Sequence, residues 1–268
     1  MENPSAPVVE TRQGALIGFT EDNTHVWCGI PYAAPPVGPW RWRSPRPPER
    51  WDGVRPATAF SASSWQSSES CQELGGGDPG QFSEDCLYLN VWSPIARATP
   101  LPVMVWLHGG GFTLGAGGLP PYNGRALAKR GAVVVTINYR LGHLGFFAHP
   151  ALEGEEERVV HNFALLDQIQ ALEWVRDNIA AFGGDPENIT VFGESAGARS
   201  VLSLMASPLA GGLFHKAIVQ SGYTLPDTPR EQAMHKGEAI AAHFGLENAT
   251  AEQLRAIPPE AFWPLTSP

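Results

Sequence analysis

Hydrophobic positions change their spacing along the chain, from short alternating runs near the amino end to longer apolar blocks further on. The alternating runs at residues 14–20 and 26–30 are flanked by turn residues and predict strands of a small antiparallel sheet. Later apolar runs predict further strands, at residues 87–92, 103–107, 132–137, 189–192 and 216–220. Residues 162–182 instead repeat Leu, Ile and Val at helical spacing, which predicts a long helix.

Strands that alternate with helices predict an α/β fold with a mostly parallel sheet, covered on both faces. Additional helices are predicted at residues 125–129, 196–205 and 227–246. Thr250 and Gln253 predict a capping box for a last short helix. Residues 61–83, rich in Ser, Gly and Gln, are expected to form a surface loop, and no strand is predicted beyond residue 220.

Composition narrows the class of protein. The apolar fraction of 43% and the charged fraction of 17% are typical of a soluble globular domain. The net charge of -9 argues against a nucleic-acid partner, because phosphate binding requires clustered Lys and Arg. No apolar run reaches the length of a membrane span. Residues 1–14 lack the pattern of a signal peptide, so a cytoplasmic location is expected unless the amino end was trimmed from a secreted protein.

The chain contains three cysteines, Cys28, Cys71 and Cys86. An odd number of cysteines without a secretion signal predicts free thiols. Their spacing matches no metal-binding pattern, and no cofactor motif is present, so neither a metal nor a cofactor is expected.

A Gly-Glu-Ser-Ala-Gly segment at residues 193–197 follows a predicted strand and precedes a predicted helix. This context is typical of the strained turn that presents a nucleophilic serine at the carboxyl end of a strand. Small neighbours permit the tight backbone, and the start of the helix directs N–H groups toward the reacting carbonyl. Ser195 is therefore the candidate nucleophile, and a glycine-lined turn with an incidental serine is the structural alternative.

A second glycine-rich segment, His-Gly-Gly-Gly-Phe at residues 108–112, ends another predicted strand. Glycines here allow backbone N–H groups to approach a substrate oxygen without obstruction by a Cβ atom. Gly110 and Gly111, together with the N–H group of Ala196, are the candidate donors to a tetrahedral oxyanion. A flexible loop without a chemical role is the alternative for this segment.

These motifs and several longer ones resemble the type-B carboxylesterase family, which includes cholinesterases and bacterial para-nitrobenzyl esterases. The matching segments are Gly-Ile-Pro-Tyr-Ala-Ala-Pro-Pro-Val-Gly at residues 29–38, Ser-Glu-Asp-Cys-Leu-Tyr-Leu-Asn-Val at 83–91, Asn-Tyr-Arg-Leu-Gly at 138–142, and the whole of residues 182–197. The resemblance implies the α/β-hydrolase fold, with residues 1–268 as the N-terminal portion of one such domain. It also implies an acyl-enzyme on Ser195 and small uncharged carboxylic esters as substrates.

The resemblance assigns supporting roles as well. Glu194 is expected to join a buried polar network with Ser221, for which an ordinary turn serine is an equally good interpretation. Cys71 and Cys86 match a pair that forms a disulfide in secreted relatives, whereas a reducing cytosol would leave both as thiols.

The acid and the histidine of the catalytic triad are not identified in this chain. Family members are about twice as long and carry these residues after strands that this sequence does not reach. His215, His235 and His243 follow Ser195, but none matches a catalytic position of the family. The chain is therefore expected to be truncated after the nucleophile half and to hydrolyse esters weakly or not at all, unless a missing C-terminal half or a second chain supplies Glu or Asp and His. A non-catalytic interaction domain or an inactive fragment is the alternative.

Overall fold

The computed structural model describes residues 6–95, 100–154, 161–223 and 228–265. The strands are β1 (Val8–Glu10), β2 (Ala15–Ile17), β3 (Phe19–Glu21), β4 (Thr24–Pro31), β5 (Val54–Pro56), β6 (Tyr88–Pro94), β7 (Leu101–Leu107), β8 (Val133–Ile137), β9 (Gly184–Glu194) and β10 (Lys216–Gln220). The α-helices are α1 (Ser68–Glu73), α2 (Arg125–Ala128), α3 (Gly142–Gly145), α4 (Phe163–Asn178), α5 (Ala196–Ala206), α6 (Arg230–His243) and α7 (Ala251–Arg255). The predicted strands and helices are thus confirmed in position, with shifts of a few residues at their ends, except that the run at residues 14–20 is divided into β2 and β3, which belong to different sheets.

The larger sheet has the strand order β10-β9-β7-β8-β6-β4-β3 within the described residues. Strands β10, β9, β7 and β8 run parallel, whereas β6, β4 and β3 pair in antiparallel fashion. The four parallel strands carry both glycine-rich motifs, at the ends of β7 and β9. The α/β architecture is confirmed, and the antiparallel strands extend the central sheet on the side away from β10.

The smaller sheet contains β1, β2 and β5. Strands β1 and β2 are antiparallel as predicted, whereas β5 joins β2 in parallel, so the small sheet is mixed and not antiparallel throughout. The predicted strand at residues 26–30 does not belong to this sheet, because it forms part of β4 and pairs with β6. Four of its five residues are buried, which suits a strand inside the larger sheet better than one in a peripheral hairpin.

The main core lies around the parallel strands, whose buried positions are largely Val, Ile and Leu. Strand β8 is buried at every position, as expected of a parallel strand covered on both faces. By contrast, Ile218 and Val219 of β10 are 42% and 39% exposed. Strand β10 is therefore an edge of the sheet that the described residues leave uncovered.

A second apolar cluster lies beneath the last helices. Phe262 packs against Trp42 at 5.4 Å and against Phe244 at 5.5 Å between ring centroids. The capping box of α7 is confirmed, since Thr250 and Gln253 exchange both hydrogen bonds. The predicted start of the preceding helix at Asp227 lies outside the described residues. None of the described helices combines the length and the apolar character required to cross a lipid bilayer.

Candidate active site

Ser195 occupies the junction at which β9 ends and α5 begins. Its backbone φ of 54° lies in the left-handed region, which is uncommon for a residue with a side chain and costs of order 1 to 3 kcal/mol. The Ser195 N–H group donates to the carbonyl of Gln220, at 3.0 Å, so the neighbouring strand holds the turn in place. The side chain is half-buried.

The flanking glycines are required by close packing against β7. A Cβ atom on Gly193 would lie 2.5 Å from the carbonyl carbon of Gly197 and 2.8 Å from the carbonyl oxygen of Leu107. A Cβ atom on Gly197 would overlap the same Leu107 oxygen. Any side chain at either position would therefore push the turn away from β7, which explains the Gly-x-Ser-x-Gly pattern in steric terms.

The glycine segment after β7 lies directly beside this turn. A Cβ atom on Gly109 would lie 3.3 Å from the Cβ atom of Ser195 and 2.7 Å from Oε2 of Glu194. Gly110 and Gly111 have φ values of 103° and 61°, which glycine adopts without strain. The structure thus brings together the two motifs that the sequence identified separately.

The N–H groups of Gly110, Gly111 and Ala196 donate no hydrogen bond to any part of the chain that the structure describes. Ala196 is fully buried, and it is the first residue of α5, where a helix leaves its N–H groups without intrahelical partners. An N–H group without a partner is costly unless a ligand or water accepts from it. These three groups are the candidate oxyanion donors of the sequence prediction.

Backbone hydrogen bonds hold the loop that carries Gly110 and Gly111 on both sides. The N–H groups of Thr113 and Leu114 donate to the Gly110 carbonyl at 3.0 and 2.9 Å. On the far side, the N–H group of Gly142 donates to the Phe112 carbonyl at 2.7 Å. The loop is therefore held in one conformation by its own backbone and by the segment that follows β8.

His108 supports the loop and is unsuited to be a base. Its ring is fully buried, stacks on Tyr139 with centroids 4.3 Å apart, and bonds through Nδ1 to the Gly109 carbonyl at 2.9 Å. The Tyr139 hydroxyl donates to the His108 carbonyl at 2.7 Å. Burial lowers the pKa of His108 to about 4, although the Gly109 carbonyl favours the protonated ring. His108 is therefore a neutral structural side chain near neutral pH.

Glu194 and Ser221 do not form the expected buried network. Glu194 is half-buried beside Gly109, whereas Ser221 lies on an exposed turn directly after β10. No hydrogen bond joins the two side chains in the described part of the chain. The physical reason is the position of Ser221 at the edge of the sheet, where none of the described residues shields it from solvent.

The disulfide alternative for Cys71 and Cys86 is not realised, because all three cysteines are free thiols. Cys71 packs with Ala116 and Leu119 in a small satellite cluster, whereas Cys86 lies in the main core. Burial raises the pKa of both thiols, and it raises the pKa of Cys28 to about 12. The protonated, unreactive thiol is thus favoured at each position.

The three histidines that follow Ser195 in the sequence lie in other parts of the structure. His215 accepts a hydrogen bond from the Ile189 N–H group at 3.2 Å, about 20 Å of extended strand before Ser195. His235 is 84% exposed on α6, and His243 packs against Phe244. No histidine or carboxylate in the described ranges hydrogen-bonds the Ser195 hydroxyl.

Sequence reasoning missed helix α1, which lies within the predicted surface loop at residues 61–83. The Ser67 hydroxyl accepts from the Ser70 N–H group at 3.1 Å, and Glu69 lies in the first turn. An N-terminal cap followed by an acidic residue was a usable helix signal, but the glycines at residues 75–77 made the segment resemble a loop. Helix α1 borders a cavity near the glycine segment, together with Thr113 and Leu114.

Comparison with known proteins places this geometry in a family. The model of the carboxylesterase family matches residues 5–263. The chain is 48% identical over 254 residues to a para-nitrobenzyl esterase of Bacillus subtilis, covering 94% of this chain and 51% of that protein. It is 46% identical over 255 residues to a fumonisin B1 esterase of Sphingopyxis macrogoltabida, covering 93% and 46%.

Comparison with solved structures also indicates the carboxylesterase family. A thermophilic para-nitrobenzyl esterase superposes with a TM-score of 0.90 at 44% identity, over 98% of this chain and 53% of that one. A carboxylesterase of Geobacillus stearothermophilus superposes with a TM-score of 0.86 at 46% identity, over 96% and 52%. The chain thus spans about half the length of the relatives it matches, and the α/β-hydrolase fold is confirmed over that span. On the family match and these identities, the chain belongs to the carboxylesterase family.

Proposed function

We propose that this chain carries the nucleophile and the oxyanion-binding groups of a serine ester hydrolase. The observation that carries the proposal is the convergence of the strained Ser195 turn with N–H groups of Gly110, Gly111 and Ala196 that lack partners in the described chain. The named esterases to which the chain is similar support ester hydrolysis as the reaction. Small uncharged carboxylic esters are the proposed substrates.

The proposed reaction proceeds in two steps. The Ser195 oxygen attacks the ester carbonyl carbon, its proton passes to a base, and the carbonyl oxygen becomes an oxyanion that accepts from the three N–H groups. Collapse of this intermediate breaks the bond to the alcohol, which leaves with the proton, and an acyl-Ser195 ester remains. Water then attacks the acyl group by the same route and releases the acid and the free serine.

Glu194 and the base have different places in this proposal. The Glu194 carboxylate lies directly beside Gly109, at 2.7 Å from where a Cβ atom on that glycine would be. We assign Glu194 a supporting role in holding the glycine segment. The base is proposed to be a His oriented by Glu or Asp, both contributed by sequence beyond residue 268 or by a second chain. In a comparable triad, the oxyanion hole and substrate binding alone leave roughly 10³ to 10⁴ of acceleration over water. This chain by itself is therefore expected to hydrolyse activated esters feebly.

We propose a cytoplasmic location because all three cysteines are free thiols, a state that a reducing compartment maintains.

The test is covalent labelling with a fluorophosphonate probe followed by peptide mapping. Slow labelling confined to Ser195, and lost in the Ser195→Ala variant, is the expected result for the chain alone, because no base lies beside Ser195 in the described residues. Ser203→Ala changes another serine on α5 and should leave labelling intact. If the folded chain is supplied with the second half of a para-nitrobenzyl esterase and still neither labels at Ser195 nor hydrolyses para-nitrophenyl butyrate, the proposal is wrong.

A further inference from the structure

Gln66 is a buried side chain beside the backbone that follows the candidate oxyanion donors, and only 1% of it is exposed. Both ends of its amide group are hydrogen-bonded to one residue of that backbone. The Gly115 N–H group donates to Oε1 of Gln66 at 2.7 Å, and Nε2 donates to the Gly115 carbonyl at 2.9 Å. Nε2 also donates to the Ser64 carbonyl, at 3.1 Å. The donor and the acceptor of this buried amide are therefore both used to hold backbone.

The pairing of Gln66 with Gly115 resembles the pairing of two residues in a sheet. In an antiparallel ladder, two opposite residues exchange both of their N–H and carbonyl hydrogen bonds. Gly115 is buried and lies outside the strands, so no neighbouring strand supplies these bonds. A buried backbone N–H or carbonyl group without a partner is costly. The side chain of Gln66 therefore takes the place of a strand partner for Gly115.

Gly115 lies against the His108 ring, at the ring atom that bonds the Gly109 carbonyl. A Cβ atom on Gly115 would overlap Nδ1 of His108 and would lie 2.9 Å from the Gly109 carbonyl oxygen. The φ of 110° at Gly115 also selects glycine. The glycine loop thus begins at Gly109 and returns at Gly115 to the same side of the same ring.

The candidate donors Gly110 and Gly111 lie in the loop between these two points. Gly111 is exposed, and the nearest atom to a Cβ atom placed on it is Oγ1 of Thr113, in the same loop, at 3.8 Å. Close packing therefore does not fix the position of Gly111. That position depends on the two ends of the loop, of which His108 holds the first and Gln66 the second.

We propose that Gln66 is a positioning residue of the oxyanion site, which directs the N–H groups of Gly110 and Gly111 by holding Gly115 against His108. This role in the reaction rests on the proposed hydrolase function, whereas the hold on Gly115 does not. Because Gln66 acts through the loop, its removal should slow the step in which the oxyanion forms and should leave the binding of an uncharged reagent almost unchanged.

The test compares two substitutions that replace a buried amide by an apolar side chain of similar size. Gln66→Met removes the donor and the acceptor beside Gly115. The matched control is Asn178→Leu: Asn178 is 4% exposed, accepts from the Arg12 N–H group at 2.8 Å and donates to the Trp174 carbonyl at 2.9 Å. Asn178 precedes β9, whose other end carries Ser195. Circular dichroism establishes that each variant is folded.

The first measurement is the rate at which a fluorophosphonate labels Ser195, followed over a range of reagent concentrations. This dependence separates the dissociation constant of the reversible complex from the rate constant for bond formation, in which the phosphoryl oxygen gains charge. Gln66→Met should lower that rate constant at least tenfold and change the dissociation constant less than twofold. Asn178→Leu should change both less than twofold. Equal rate constants for the two variants, or a change in the dissociation constant alone, would overturn the positioning role.

Gln66→Glu provides a second variant with its own pH profile. A neutral carboxylic acid has a donor and an acceptor as the amide does, whereas the ionised carboxylate has no donor. The rate constant of Gln66→Glu, divided by that of the parent chain at the same pH, should therefore fall as the pH rises from 5 to 8. The same ratio for Gln66→Met should stay constant. A constant ratio for Gln66→Glu would contradict the proposal.

Amide hydrogen exchange, followed by NMR, tests the hold on Gly115 without any chemistry at Ser195. The N–H groups of Gly115 and Leu114 should exchange at least tenfold faster in Gln66→Met than in the parent chain, and less than twofold faster in Asn178→Leu. Unchanged exchange in folded Gln66→Met would overturn the proposal. Faster exchange in Gln66→Met, in a chain that never labels at Ser195 even with the second half of a para-nitrobenzyl esterase, would overturn the hydrolase function and support the hold on Gly115.

Discussion

Gly109 and Ser195 approach so closely that a Cβ atom on the glycine would lie 3.3 Å from the Cβ atom of the serine. The same position lies 2.7 Å from Oε2 and 2.9 Å from the carbonyl oxygen of Glu194. The two glycine motifs are therefore fitted to each other across β7 and β9. At Gly109 close packing alone excludes a side chain. At Gly110 both the positive φ and the nearby Leu114 carbonyl select glycine, whereas at Gly111 the positive φ alone does so.

Replacing Gly109 with Ala is expected to separate the oxyanion segment from the nucleophile. The added methyl group meets a carbonyl oxygen that cannot easily move, so overpacking should cost about 1 to 3 kcal/mol of stability. Fluorophosphonate labelling of Ser195 should slow at least tenfold. Gly211→Ala is the control, since its Cβ atom meets only the Pro208 carbonyl, at 3.3 Å, on the surface. Equal labelling rates in both variants would contradict this interpretation.

The buried ion pair of Arg140 and Asp167 should contribute strongly to the position of the segment after β8. Arg140 Nη2 lies 2.6 Å from Oδ1 of Asp167, and both side chains are at most 3% exposed. Removing one partner strands the other as a buried charge, so Asp167→Asn should lower the free energy of unfolding by about 3 to 5 kcal/mol. Urea denaturation measures the change.

Two further variants serve as comparisons for Asp167→Asn. Asp22→Asn removes the exposed carboxylate beside Lys129 and should leave the urea midpoint almost unchanged. The double variant Arg140→Met with Asp167→Leu replaces the pair by apolar side chains and should recover part of the loss. A small effect of Asp167→Asn, similar to that of Asp22→Asn, would mean that the pair is not buried in solution.

The thiols give a direct check on packing. Cys28, Cys71 and Cys86 are each at most 3% exposed and unpaired. Iodoacetamide should modify none of them in the native chain within minutes and all three after denaturation in urea without a reducing agent. Mass spectrometry counts the modified residues. Only one modified cysteine in the denatured chain would reveal a disulfide that the structure does not contain.

Much of this arrangement was predictable because strong local signals coincided with the fold. The buried run of β8 and the helical spacing of α4 each specify one kind of element, and both predictions were confirmed. The glycines around Ser195 were interpretable because the strained turn tolerates no alternative. The juxtaposition of Gly109 and Ser195 was predictable as well, since parallel strands place their carboxyl ends on one edge of the sheet.

Other features depend on neighbours that local sequence does not identify. The sequence at residues 26–30 specifies a strand but not its partner, and burial on both sides assigns it to the larger sheet. Ser221 was expected in a buried network, yet it is exposed in the described chain. Its burial depends on the elements that pack against β10 and not on its own residue type. The cavity beside α1 likewise combines side chains separated by almost 200 positions along the chain, such as Ser70 and Phe262.

The buried ring of His108 makes stability depend on pH in a predictable direction. The folded chain holds its pKa at about 4, below the ordinary value of 6.5, because burial disfavours the charged ring. As pH falls, the unfolded chain therefore takes up this proton first. The part of the free energy of unfolding that depends on the neutral His108 ring is fully present above pH 6.5 and is lost as the pH falls toward 4. This loss lowers the free energy of unfolding by about 2 kcal/mol between pH 7 and pH 5.

His108→Gln isolates this contribution, because glutamine does not titrate in this range. The variant should be less stable at pH 7, since it loses the stacking on Tyr139, but its stability should fall less steeply on acidification than that of the parent chain. Urea denaturation at pH 7, 6 and 5 gives the two profiles, in which all other histidines contribute equally and cancel. Parallel profiles would mean that His108 takes up its proton in the folded chain as readily as in the unfolded one. In that case the ring would not be buried beside the oxyanion segment, and the support it gives to Gly109 would have to come from the backbone alone.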